Sequence, residues 1–200
     1  MSLVRLLQLS SPTLPVGAYS YSQGLEAAVE AGIVTDAASA ERWIGDVLEF
    51  SVARSDVPLL WRMLHDEDCD EEFVASRETA ELRAETLQMG HSLSRLLSDL
   101  GIAANAEALS FPAAYALAAR AWEIEPRAAL LGYLWSWLEN QVMAAVKAVP
   151  LGQTDGQRIL IALGSRLETV DPQTEFSNFA PGLAILSSRH ETQYTRLFRS

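Results

Sequence analysis

The chain has 200 residues, 49% of them hydrophobic and 20% charged, and a formal net charge of −11 with a pI near 4.7. That balance describes a folded globular protein with enough length for one domain and a sizeable core. Its negative field works against nucleic acid and anionic lipid as partners. Charge interrupts every stretch of about 18 residues that might otherwise be apolar enough to span a membrane, so no membrane partner is expected. The single cysteine, Cys69, excludes an internal disulfide, and the chain does not open on the basic-then-apolar pattern of a secretory signal. Both observations point to a reducing cytoplasm.

The first informative stretch is 11–26, Ser-Pro-Thr-Leu-Pro-Val-Gly-Ala-Tyr-Ser-Tyr-Ser-Gln-Gly-Leu-Glu. Pro12 and Pro15 fix φ and remove donors, while Gly17 admits geometries closed to other residues. The stretch therefore reads as a rigid loop running into a helix, an interaction surface without catalytic apparatus. Ser20 and Gln23 have capping-box spacing, and Gly32 stops the helix that follows Glu26. Trp43, Ile44, Val47, Leu48 and Val52 make a stripe of helical period, and Pro58 stands near the start of the next helix. A long helix is expected over 71–100, closing at Gly101, with the row Leu82, Leu93, Leu96, Leu97 and Leu100 and a kink at Gly90. Pro126 opens a tryptophan-rich helix carrying Leu130, Leu131, Leu134, Trp135, Leu138 and Val142, which Val149 and Pro150 close. Thr154 and Gln157 repeat the capping-box spacing at the entry to a helix through Leu167. Over 170–186 the period weakens around Pro172, Pro181 and Gly182, as in an extended connection. With no two-residue alternation anywhere, the prediction is an all-α, single-domain bundle of about eight to ten helices over 1–200.

Chemistry is harder to find. Gly152 and Gly156 are not followed by the lysine that a phosphate-binding P-loop requires. Residues 65–72, His-Asp-Glu-Asp-Cys-Asp-Glu-Glu, hold every metal-ligand type, yet no paired ligand motif accompanies them. They read as a solvated loop in which Asp70, Glu71 and Glu72 favour a helix N-terminus. His91 has no acid or nucleophile spaced with it, and His190-Glu191 lacks the second histidine of a zinc-protease helix. Lys147, among apolar neighbours, reads as solvated or partner-facing rather than as a buried nucleophile. Trp122, Trp135, Trp137, Phe111, Tyr115 and Tyr133 read as core or interface anchors. No cofactor, metal or catalytic residue is nominated.

Four blocks nonetheless carry a specific pattern over nearly the whole chain. They are 7–26, 81–90 (Glu-Leu-Arg-Ala-Glu-Thr-Leu-Gln-Met-Gly), 147–157 (Lys-Ala-Val-Pro-Leu-Gly-Gln-Thr-Asp-Gly-Gln) and 190–200 (His-Glu-Thr-Gln-Tyr-Thr-Arg-Leu-Phe-Arg-Ser). In order and spacing they resemble the UreF family of urease accessory proteins. The resemblance implies an all-α, non-enzymatic, cytoplasmic helper in maturing the nickel centre of urease. It implies assembly with the UreD/UreH scaffold protein and the nickel-binding GTPase UreG on apo-urease, coupling GTP hydrolysis to nickel delivery.

Within it, 187–200 resembles a tail that docks on the scaffold, through Arg189, His190, Glu191, Tyr194, Arg196, Leu197, Phe198 and Arg199. Glu26, Lys147, Gly152 and Gln153 match positions expected to face the GTPase. Tyr19 and Tyr21 resemble a segment near the contact of a homodimer, although packing within the chain explains two tyrosines equally well. Two rivals stay open. One is a nickel carrier using the cluster at 65–72; the other is a regulator supplying Arg83, Arg189 or Arg196 in trans to the GTPase.

Overall fold

A computed structural model describes residues 3–102 and 109–200. Pro126 at the first position, with Glu125 as cap, starts the longest helix among them. The Glu125 carboxylate accepts from the backbone of Arg127 (2.9 Å) and Ala128 (2.8 Å), taking up amides that a helix end leaves unpaired. This helix, α8 (Pro126–Ala148), is about 34 Å long at 1.5 Å per residue. It ends where Val149 turns extended before Pro150, the conformation a following proline imposes.

The other helices pack around it. α1 (Leu3–Leu9), α2 (Leu25–Glu30), α3 (Ala37–Val47), α4 (Val57–Leu64), α7 (Phe111–Ala121) and α9 (Gln153–Leu167) all touch α8. α5 (Asp70–Ala75) lies against α4 and α6 (Ala80–Asp99), and α10 (Pro181–His190) lies across α2 and α6. The described residues contain no strand, so the all-α reading holds. The buried apolar side chains form one continuous core from Leu9 to Phe198.

Several local expectations change. Residues 71–100 are two helices: α6 starts afresh at Thr79, whose hydroxyl accepts from the Leu82 amide (3.2 Å). Gly90 does not break α6. Its missing side chain admits the chain at 109–111, and an added Cβ would collide with the Leu109 carbonyl. Neither capping box forms, because Gly24 and Gly152 occupy the cap positions of α2 and α9 with no side-chain bond. A box that the reading missed opens α3, between Asp36 and Ser39. The stripe through Val52 is helical, but its second half, Leu48–Asp56, is wound as a π-helix continuous with α3 and α4. Its wider turn leaves the Arg54 carbonyl to accept from Ser177 (2.9 Å). That bond ties down the connection before α10, which begins at Pro181, inside the stretch read as extended.

Candidate functional site

Residues 191–200 lie over the start of α2 and the first turns of α6, held by a carboxylate that the sequence reading had turned outward. Glu26 is buried. Its Oε1 accepts from the Leu197 amide (2.7 Å), and its Oε2 accepts from the Phe198 amide (2.9 Å) and faces His190 Nε2 (3.1 Å). The other ring nitrogen, Nδ1, faces Glu81 Oε2 (2.7 Å), and Arg196 donates to Glu81 Oε1 (2.7 Å). His190 is completely buried. Each ring nitrogen thus faces one carboxylate oxygen, from α2 on one side and from α6 on the other.

Two backbone bonds continue the attachment. Arg199 N donates to the Ser20 carbonyl (2.8 Å) and Ser22 N to the Ser200 carbonyl (2.9 Å). Beneath them, Glu85 accepts from Gln23 Nε2 (2.7 Å) and from the Ser200 hydroxyl (2.8 Å). Burial pushes the Glu85 carboxyl up to about 7, against these two donors, which pull it down. Gln23 is held at φ +52° while its carbonyl oxygen accepts from the Trp137 indole (2.8 Å).

The outer side of this segment is different. Tyr19 and Leu197 are each 69% exposed, and Arg199 is exposed beside them. Lys147 is the only lysine in the chain. Its ammonium lies 5.9 Å from the Tyr19 ring centre and 5.8 Å from that of Phe198, within cation–π range. These side chains line one shallow depression. Gly152 and Gln153 are exposed at the start of α9, a few residues beyond Lys147.

The structure thus divides the expected surface residues. Tyr19, Lys147, Leu197 and Arg199 come together; Arg189, Glu191, Tyr194, Gly152 and Gln153 are exposed. Glu26, His190 and Phe198 face inward, and Tyr21 is buried, with a phenol pushed up by burial and pulled back by a bond from Arg199. Glu26 is therefore corrected from a partner-facing group to one that holds residues 197 and 198. Glu81, Glu85, Ser22 and Gln23 were missed. Glu81 and Glu85, one helical turn apart on a face that also carries buried Leu82 and Met89, were the available signal.

The acidic loop is occupied differently. His65 Nδ1 bonds the Trp61 carbonyl (2.8 Å), Glu67 and Glu72 pair with Arg62 (2.9 and 3.0 Å), and Asp66 pairs with Arg120 (3.0 Å). Cys69 is buried, its thiol pushed up by burial, and Asp70 accepts from the Ser110 amide (3.1 Å). Among the described residues no three such side chains converge as a metal site. His91 and Arg83 are exposed on α6. No helix among the described residues is long and apolar enough to cross a membrane.

A cavity of about 240 Å³ runs under the loop at 11–19 toward Arg77, Glu78, Glu85 and Tyr133. Arg77 pairs with Asp56 (2.7 Å), whereas Arg77 Nε and Glu78 Oε1 find no partner among the described residues. Burial pushes the Glu78 carboxyl up. The space is large and polar enough for ordered water to meet these atoms.

Comparison with known proteins gives the class first: this is an all-α accessory protein, not an enzyme. The UreF family model matches residues 34–164. The chain is 58% identical to the urease accessory protein UreF of Azoarcus sp. (strain BH72), over 100% of this chain and 96% of that protein. It is 52% identical to the protein of the same description from Dechloromonas aromatica (strain RCB) and 51% to that of Janthinobacterium sp. (strain Marseille), over 100% of this chain and 98% of each. The chain belongs to the UreF family.

Proposed function

We propose that this chain, as one domain, is a bridging subunit in urease maturation. It joins the UreD/UreH scaffold to the nickel-binding GTPase UreG on apo-urease, and it regulates GTP-dependent nickel delivery. The relatives' description as urease accessory proteins supports the process. The observation that carries the bridging role is the corner where Tyr19, Lys147, Leu197 and Arg199 meet. Residues expected at different partners there share one surface, joining aromatic, aliphatic and cationic groups as protein interfaces do. Arg189, Tyr194, Leu197 and Arg199 serve the scaffold; Lys147, Gly152 and Gln153 serve the GTPase. The chain acts as a cytoplasmic homodimer with Tyr19 near its contact, while buried Tyr21 serves packing within the chain.

The test is size-exclusion chromatography with light scattering on the chain mixed with the scaffold and the GTPase. Cutting the chain after Ser188 would unpair buried Glu26 and partly buried Glu81, so surface substitutions are cleaner. Arg189→Glu with Tyr194→Ala should release the scaffold, and Lys147→Glu with Gln153→Ala should release the GTPase. Retention of both partners by both variants would remove the bridging assignment.

A further inference from the structure

The cavity under the loop at 11–19 ends on an imbalance of charge. Asp56, Glu78 and Glu85 line it together with one guanidinium, that of Arg77, and Arg77 is paired with Asp56 (2.7 Å). Glu85 has only uncharged donors, Gln23 Nε2 and the Ser200 hydroxyl (2.7 and 2.8 Å). Glu78 Oε1 has no partner among the described residues. Two carboxyls are thus desolvated without a cation bonded to either. Such groups keep a proton or take up a positive charge, and burial pushes both of them up, Glu85 to about 7.

The rest of the wall selects the kind of cation. Val52, Phe73, Leu82, Met89 and Trp137 line the cavity as buried apolar side chains. A bound metal ion takes four or more oxygen, nitrogen or sulfur donors at once, and among the described residues no three His, Cys, Asp or Glu side chains come together as a metal site. A primary ammonium is met by fewer groups, since it donates up to three hydrogen bonds and accepts none. Its aliphatic chain then leaves water against the apolar wall. The mouth lies between exposed Tyr19 and Met143, where Glu139 and Lys147, of opposite charge, stand two turns apart on α8.

We propose that this cavity binds a small aliphatic primary amine in its ammonium form, with the head on Glu78 at the acidic end and the chain along the apolar wall toward the mouth. Arg77 Nε, also without a partner, is left to water. The site depends on none of the partner assignments above. Around the two glutamates stand Asp56 and Arg77, paired with each other, the uncharged Gln23 and Ser200, and Tyr133, whose phenol burial holds well above its ordinary value. Glu85 is therefore the group here whose charge changes near pH 7. An ammonium prefers the ionised carboxylates, so its binding strengthens as pH rises through that value.

The test is titration calorimetry of the full chain with hexylamine, which is protonated near neutral pH, and with hexanol, which offers the same chain without charge. Hexylamine should bind about tenfold or more tightly than hexanol, and nuclear Overhauser contacts from its chain to Met89 and Tyr133 should place it in the cavity. Its affinity should rise about tenfold from pH 6 to pH 8, as Glu85 gives up its proton. It should hold at raised salt, where attraction to the acidic surface as a whole is screened. Glu78→Gln keeps the size of the side chain and removes its charge. That change should weaken hexylamine about tenfold or more and leave hexanol unaffected. If the variant does not fold, the contacts and the pH profile of the wild type decide. The proposal is overturned if hexylamine does not bind, makes its contacts elsewhere, binds no better than hexanol, shows a flat pH profile or is lost at raised salt. A folded Glu78→Gln chain that binds hexylamine as the wild type does would overturn it equally.

Discussion

Arg62, His65, Glu67 and Glu72 lie on and beside the loop between α4 and α5. Glu26, Glu81, His190 and Arg196 hold the same residue types between α2, α6 and the segment after α10. In the loop, the Arg62, Glu67 and Glu72 side chains stay 43 to 57% exposed, where water and salt screen the pairs to at most about 1 kcal/mol each. In the clamp, the carboxylates and the imidazole have left water, and the bonds that replace hydration join parts of the chain more than 100 residues apart. What differs is not the chemistry of the side chains but how much protein surrounds them. A charge cluster in a sequence is therefore no guide to its weight until its burial is known.

The largest expected break in that contrast is Glu26→Ala. It strands His190 and two backbone amides, and removing one member of a buried pair destabilises by about 3 kcal/mol or more. A urea titration should show a lower midpoint with little change in slope. A loss below about 1 kcal/mol would make the clamp no stronger than a surface pair.

Glu85 comes next, through pH. Its carboxyl is raised from 4.5 to about 7, so between those values the folded chain keeps a proton that the unfolded chain has released. This contribution to stability is full below pH 4.5, declines as pH rises through that window and is gone above about 7, a span of roughly 3 kcal/mol. Urea midpoints of the wild type minus those of Glu85→Gln should fall between pH 5 and pH 7.5. A flat difference would mean that Glu85 titrates as a solvated carboxylate.

On the loop, Arg62→Ala should lower stability by less than about 1 kcal/mol, and less still in 1 M salt. A larger loss would narrow the contrast between the two regions. The smallest effect is expected from His65→Ala with Cys69→Ala on nickel binding by the isolated chain. Calorimetric titration should give the same heats with and without the two side chains. Stoichiometric binding that disappears in the variant would restore the carrier reading.

Much of the helix layout was legible because its signals are local. Pro126, Pro58, Gly32 and the Val149-Pro150 pair each act on neighbouring residues, and the starts and stops fall beside them. The break before α6 was missed although Thr79 was there to cap it, because neither glycine nor proline marks residues 76–79. Gly90 was misread because its reason lies at residues 109–111. The π-helix has no pattern that separates its stripe from that of an ordinary helix. The candidate site was legible only as pieces. The outward residues could be named one by one, but Glu26 and His190 stand 164 positions apart, and no spacing rule links them. A carboxylate in a proline- and glycine-rich stretch looks like a surface group until the fold closes over it.

Lys147 gives this corner a handle of another kind. Because no other side chain in the chain carries a primary amine, an amine-reactive cross-linker reaching a side chain here marks one place. Any partner peptide recovered on Lys147 lay within the linker's length of Tyr19 and Phe198, so mass spectrometry of the assembled complex reads the neighbour of this surface directly.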